Sequence, residues 1–114
     1  MTTDLARRAA AATPPALVAA WQRDGAICLR GLLNADELAV LRRGIDANLA
    51  APSPRAIVAS QPDDPGFFIE DFCNWQANAD YRALACDSPL PQVAARLMQS
   101  TTVRLYDDHM LTKE

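Results

Sequence analysis

The closing stretch of the chain, Val103 to Glu114, reads V-R-L-Y-D-D-H-M-L-T-K-E. It opens with the β-branched and aromatic residues that favour a pleated, half-buried strand. It also holds the single histidine of the sequence, His109. The run stops on Lys113-Glu114 with no turn or cap residue behind it, the pattern of an interrupted strand. The expectation is therefore that the chemistry rests partly here and partly on residues outside this sequence. Strand side chains alternate, which puts Asp107, His109, Leu111 and Lys113 on one face and Tyr106, Asp108, Met110 and Thr112 on the other. The first face offers an imidazole and an ammonium together, a hydrogen-bond donor and a point charge suited to a small dicarboxylate. By spacing alone, a lone strand histidine reads first as a surface or hydrogen-bonded structural residue.

Working back from this run, Asp87-Ser88-Pro89 predicts a helix start, with Ser88 as N-cap and Pro89 at the first helical position. Its buried stripe is Leu90, Val93, Ala94, Leu97 and Met98, and it stops near Ser100. Thr101, Thr102 and Val103 then begin the terminal strand. Asn78-Ala79-Asp80 opens a short helix through Leu84, and Phe67 to Phe72 forms a strand or extended segment leading to Cys73-Asn74-Trp75. Aromatic density is highest there and reads as core before pocket lining. Residues 51–66 carry Pro52, Pro54, Pro62 and Pro65, which predicts a long loop without a regular element. Asp63-Asp64 within it reads as a solvated turn, since no further spaced oxygen ligands accompany the pair.

Before the loop, Asn34 and Glu37 have the spacing of a capping box, with Leu33 and Leu38 placed for a hydrophobic staple. Leu38, Leu41, Ile45 and Leu49 follow as the apolar stripe of that helix, while Arg42, Arg43 and Asp46 make a solvated face. Ala26 to Gly31, a compact apolar run between two glycines, predicts a strand, with Arg30 solvated or ion-paired at its end. Thr13-Pro14-Pro15 predicts another helix start, capped by Thr13, with Leu17, Val18 and Trp21 on its buried side and Gly25 as its stop. Residues 1–12 are an alanine-rich leading helix or frayed arm. Asp4 interrupts them and no long apolar run follows, which argues against a targeting segment.

The length, 114 residues, is that of one domain or a piece of one. A formal charge of −3 provides no broad basic field, which argues against nucleic acid or an anionic membrane as a partner. No stretch is long and apolar enough to span a membrane. Cys28, Cys73 and Cys86 are odd in number and form no C-x-x-C pair, so they read as reduced thiols acting as small hydrophobes in a cytoplasmic protein.

Several of these segments together resemble the N-terminal part of the phytanoyl-CoA dioxygenase family. The segments are Trp21 to Ile27 and Arg30 to Leu33, then Asn74-Trp75, then Asp87 to Leu90 and Ala95 to Ser100, and finally the closing run Val103 to Glu114. The closing run is the most specific, and the proline-rich loop is the main part left unmatched. The resemblance implies an α+β chain in which helices pack on the first strands of a double-stranded β-helix, a jelly-roll or cupin-like fold left incomplete here. It implies an Fe(II)- and 2-oxoglutarate-dependent hydroxylase acting on a small-molecule substrate. In that family the iron is held by two histidines and one carboxylate, His-x-Asp following soon after the Leu-x-Lys motif. A chain with one histidine cannot supply that set, and Leu111, not Asp, stands two residues after His109. The resemblance gives His109 and Lys113 the role of cosubstrate-pocket residues, with no metal ligand and no turnover by this chain alone. The alternative from a different class is a complete α+β binding or interaction module without chemistry.

Overall fold

The computed structural model describes residues 3–114 and is an α+β structure of five helices and one three-stranded antiparallel sheet. The helices are α1 Asp4–Ala12, α2 Pro15–Asp24, α3 Ala35–Ala50, α4 Ala79–Asp87 and α5 Leu90–Met98. The strands are β1 Ile57–Val58, β2 Phe68–Phe72 and β3 His109–Lys113, in sheet order β1-β2-β3.

The leading residues form a helix that belongs to the core. Ala9 of α1 is 0% exposed and packs with Val93 and Leu97 of α5, where Val18, Trp21, Ile27, Leu29 and Leu32 close over them. Alanine at this point lets two helices approach closely. Thr13 is not the cap of α2: it ends α1, its hydroxyl donating to the Ala9 carbonyl at 2.7 Å and accepting from Arg96 Nε at 2.6 Å. Proline at 14 and 15 starts α2 without a side-chain cap, because the first-turn donors that proline lacks have no intrahelical partner anyway. Gly25 stops α2 in the left-handed conformation, at φ 71°.

The strand expected over Ala26–Gly31 is absent. The segment runs without regular structure, its Ile27 and Leu29 laid on the α1–α5 cluster. An apolar run becomes a strand only when another strand takes up its backbone groups, and none does so among the described residues. The terminal strand is shorter than expected for the same reason: residues 101–108 are irregular and β3 starts at His109. Conversely, the proline-rich loop contains β1, whose Ile57 pairs with Glu70 and Val58 with Ile69.

The capping box on α3 forms as its spacing requires, Asn34 Oδ1 accepting from Glu37 N at 2.9 Å and Glu37 Oε1 from Asn34 N at 3.3 Å. The buried residues of α3 are Gly44 and Asn48, not the leucine stripe, and Leu38 is exposed. A Cβ on Gly44 would lie 2.9 Å from the Tyr81 ring, so glycine is what lets α3 and α4 approach here. Helix α4 begins at Asn78, whose Oδ1 accepts from the N–H groups of Asp80 and Tyr81, and it runs three residues past Leu84. The Ser88 hydroxyl serves two helices, donating to Leu84 O of α4 and accepting from Leu90 N of α5. Met98, expected in the core, is exposed, as are all three cysteines, none of which is in a disulfide.

The radius of gyration is 16.4 Å, whereas a compact chain of this length has about 13 Å. The helical core and the sheet are thus loosely gathered along an axis of 51 Å.

Candidate functional site

Strand β3 lies at one edge of the sheet, paired antiparallel to β2, with Phe72 opposite His109, Glu70 opposite Leu111 and Phe68 opposite Lys113. The expected alternation holds. Met110 and Thr112 share a face with Ile69 and the fully buried Asp71, and this face turns toward α3 and α4. His109, Leu111 and Lys113 share the other face with Phe68, Glu70 and Phe72, and it is open, with Leu111 59% exposed. No helix covers it.

On that open face the His109 ring meets Phe72 edge-on, with ring centroids 5.5 Å apart. His109 Nε2 stands 3.1 Å from Glu70 Oε2. A carboxylate only accepts, so Nε2 carries the proton it donates. Lys113 enters none of the ion pairs among the described residues. His109 and Lys113 are four residues apart on one strand, which sets their Cα atoms about 13 Å apart with Leu111 between. The imidazole and the ammonium are therefore on one face but do not touch. A small dicarboxylate is reached by both only when the lysine stem leans back along the strand.

The outer edge of β3 is unpaired. Asp108 and Glu114 bond to β2, through Cys73 N to Asp108 O at 3.0 Å and the reciprocal pair of Phe67 and Glu114 at 2.8 and 2.9 Å. By alternation the backbone groups of His109, Leu111 and Lys113 point the other way, to the free edge. Beyond that edge a groove of about 770 Å³ runs between the C-terminal segment and the helices, floored by Leu41, Ile45, Leu84, Leu90 and Ala94. Leu41 and Ile45 of the expected α3 stripe and Leu90 and Ala94 of the expected α5 stripe point here. Tyr106, on the rim, is 96% exposed.

Behind the sheet lies a polar cluster that the sequence pattern did not reveal. Asp71 is 0% exposed, and its carboxylate accepts from Asn48 Nδ2 at 2.8 Å, Ser53 N at 2.7 Å, Ser53 Oγ at 2.5 Å and Phe72 N at 2.9 Å. Burial pushes this carboxyl up, but the bonds from Ser53 and Asn48, with the nearby Asn74 amide, outweigh it and hold the group well below the usual carboxylate range. Tyr81 donates to Asn48 Oδ1 at 2.9 Å. Burial, then the charges of Asp108 and Asp71, push its phenol up to about 12. Asp108 Oδ1 accepts from the N–H groups of Asn74 and Trp75, at 2.8 and 2.7 Å, which pins the turn where Cys73 takes φ 60°. Arg55 donates to the Phe72 and Cys73 carbonyls and to Asn74 Oδ1, sealing the same corner. Together these groups tie α3, α4 and the loop to the sheet, with Asn74 Nδ2 and Asp108 Oδ2 buried without a hydrogen-bond partner among the described residues. An Asp in an alternating strand next to an aromatic run was the one signal that could have drawn attention to Asp71.

Among the described residues no three His, Cys, Asp or Glu side chains are grouped to hold a metal ion. Among them, too, no helix is long and apolar enough to cross a membrane. No known protein family, no curated protein and no solved structure matches the chain.

Proposed function

We propose that the chain is the N-terminal portion of a non-haem Fe(II)/2-oxoglutarate-dependent dioxygenase of the phytanoyl-CoA dioxygenase type. In this reading the sheet is the beginning of a double-stranded β-helix, and His109 and Lys113 line the 2-oxoglutarate pocket. The observation that carries it is the two-sidedness of the sheet. One face is closed by helices, while the other presents His109, Lys113 and Glu70 among Phe68, Phe72 and Leu111 beside an unpaired edge. Large exposed apolar residues next to free backbone donors and acceptors are what a second sheet and further strands would cover.

Iron does not fit the described residues, because one histidine cannot supply two, and Glu70, the carboxylate beside His109, belongs to no group of three potential ligands. The reaction class is hydroxylation of a small-molecule substrate coupled to oxidative decarboxylation of 2-oxoglutarate. This chain's part in it is to hold the cosubstrate and to keep water from one side of it. The lysine supplies charge to a carboxylate, and the imidazole supplies a directed N–H.

The direct test is the coding sequence that follows the Glu114 codon. The proposal expects a turn and then His-x-Asp within the next few tens of residues. A stop codon there, or turnover of 2-oxoglutarate by the purified 114-residue chain, contradicts it.

The second reading, a non-catalytic binding module, is favoured by the groove, whose apolar floor and adjacent free strand edge are the two parts used when a peptide adds a strand to a sheet. It requires a chain that unfolds in a single sharp transition and binds little hydrophobic dye.

A further inference from the structure

Glu70 occupies an odd position for a pocket that receives a dianion. It lies on β2 directly opposite Leu111, so it faces the gap between His109 and Lys113, and its carboxylate accepts a hydrogen bond from His109 Nε2 at 3.1 Å. A carboxylate placed between an imidazole and an ammonium is the arrangement that an acidic ligand itself would adopt. We propose that Glu70 is a built-in stand-in for the ligand carboxylate, and that an acidic ligand binds this face by displacing Glu70 from His109. The inference rests on the reading of His109 and Lys113 as 2-oxoglutarate contacts, and concerns how that contact is regulated.

Three features of the face favour displacement over a fixed structural pair. The His109 and Glu70 side chains remain 45% and 27% exposed, so water and ligand reach both and the pair is of the weak, screened kind. The edge-on contact with Phe72 orients the imidazole independently of Glu70, so the ring keeps its aim when the carboxylate leaves. Lys113 is without an ion-pair partner among the described residues, and is free to receive the second carboxylate of a dicarboxylic ligand. With Glu70 in place, the His109 Nε2–H is occupied and an incoming carboxylate meets the like charge of Glu70. With Glu70 swung away, Nε2–H becomes the donor that a carboxylate needs.

The test is a titration of the isotope-labelled 114-residue chain with 2-oxoglutarate, followed by NMR at the His109 ring, the Lys113 ammonium-bearing carbon and the Glu70 carboxyl. It compares the native chain with Glu70→Gln and Glu70→Ala, and uses the neutral dimethyl ester of 2-oxoglutarate as a control for charge. Signals from the α1–α5 core check that each variant is folded. In the native chain the Glu70 carboxyl signal moves together with His109. Both variants bind 2-oxoglutarate roughly fivefold more tightly, the factor that removal of one like charge at about 4 Å in water corresponds to, and the ester gains nothing. Equal or weaker binding by both variants, with His109 still responding to 2-oxoglutarate, overturns the stand-in role and leaves the pocket reading intact. No response at His109 or Lys113 in any of the three proteins overturns the pocket reading, and this inference with it.

Discussion

Asp71 and Tyr81 show how single residues hold this structure. The Asp71 carboxylate is surrounded by donors, so Asp71→Asn presents an amide N–H₂ to the Asn48 amide and the Ser53 and Phe72 N–H groups, and only the Ser53 hydroxyl can turn to accept from it. The substitution is expected to cost about 2 to 4 kcal/mol, seen as a lower denaturant midpoint with an unchanged slope. The sign of its pH dependence follows from a folded pKa held below the unfolded one. The stabilisation is complete above about pH 4 and is lost as the pH falls through the lower folded value, so native thermal stability declines in acid. In the Asp71→Asn chain that part of the acid slope disappears. Tyr81 works in the opposite direction. Its neutral phenol is favoured in the fold, so its contribution is complete below about pH 10 and lost as the pH rises through about 12. Tyr81→Phe flattens the alkaline limb of the stability curve and costs about 1 kcal/mol at neutral pH through the unpartnered Asn48 oxygen. In the sequence, Asp71 is marked only by its place in an alternating strand beside an aromatic run, and Tyr81 by nothing. A buried carboxylate is recognisable only from the donors brought to it from elsewhere in the chain: Asn48 and Ser53 are adjacent to it in space alone, and only the Phe72 N–H is also its neighbour in sequence.

At the scale of elements, what was legible depended on how local the determining interaction is. The α3 start, the Gly25 stop and the Asn78 start are set within three or four residues, and each forms where its capping residues stand. Strands depend on partners. Ala26–Gly31 has the composition of one but no neighbour to bond with, whereas Ile57–Val58, between prolines, became one because β2 lies alongside. The face of α3 was misplaced for a related reason. The leucines mark an apolar stripe, but the close approach to α4 is made at Gly44, where smallness decides and hydrophobicity says nothing. Gly44→Ala tests this. Helix propensity alone favours alanine by about 1 kcal/mol, but a Cβ 2.9 Å from the Tyr81 ring and 3.2 Å from Asp80 Cβ forces the helices apart at a cost of about 1 to 3 kcal/mol. The net expectation is a destabilised chain, measured as a lower melting temperature. A stabilised one would mean that the α3–α4 contact is looser than described.

For the whole molecule, the features to be explained together are the extended shape, the open sheet face, the unpaired β3 edge and the apolar groove beside it. Large apolar side chains at Leu105, Tyr106, Leu111 and Phe67 stay in contact with water. The isolated chain is accordingly expected to bind hydrophobic dye in its native state and to unfold over a broad range, and Leu111→Lys is expected to reduce dye binding without lowering the melting temperature. The sequence disclosed the composition of this face through the alternation of His109, Leu111 and Lys113. It could not disclose Glu70 as their neighbour, because register across two strands is set by the corner that Asp108 and Arg55 hold. The central claim is that this face is one wall of a 2-oxoglutarate pocket. It is tested most directly by measuring the His109 imidazole and Lys113 side-chain NMR signals of the native chain against increasing 2-oxoglutarate. The account predicts saturable shifts at both residues that are weakened by Lys113→Ala. Unmoved signals at His109 and Lys113, with the chain folded and 2-oxoglutarate in large excess, would contradict it.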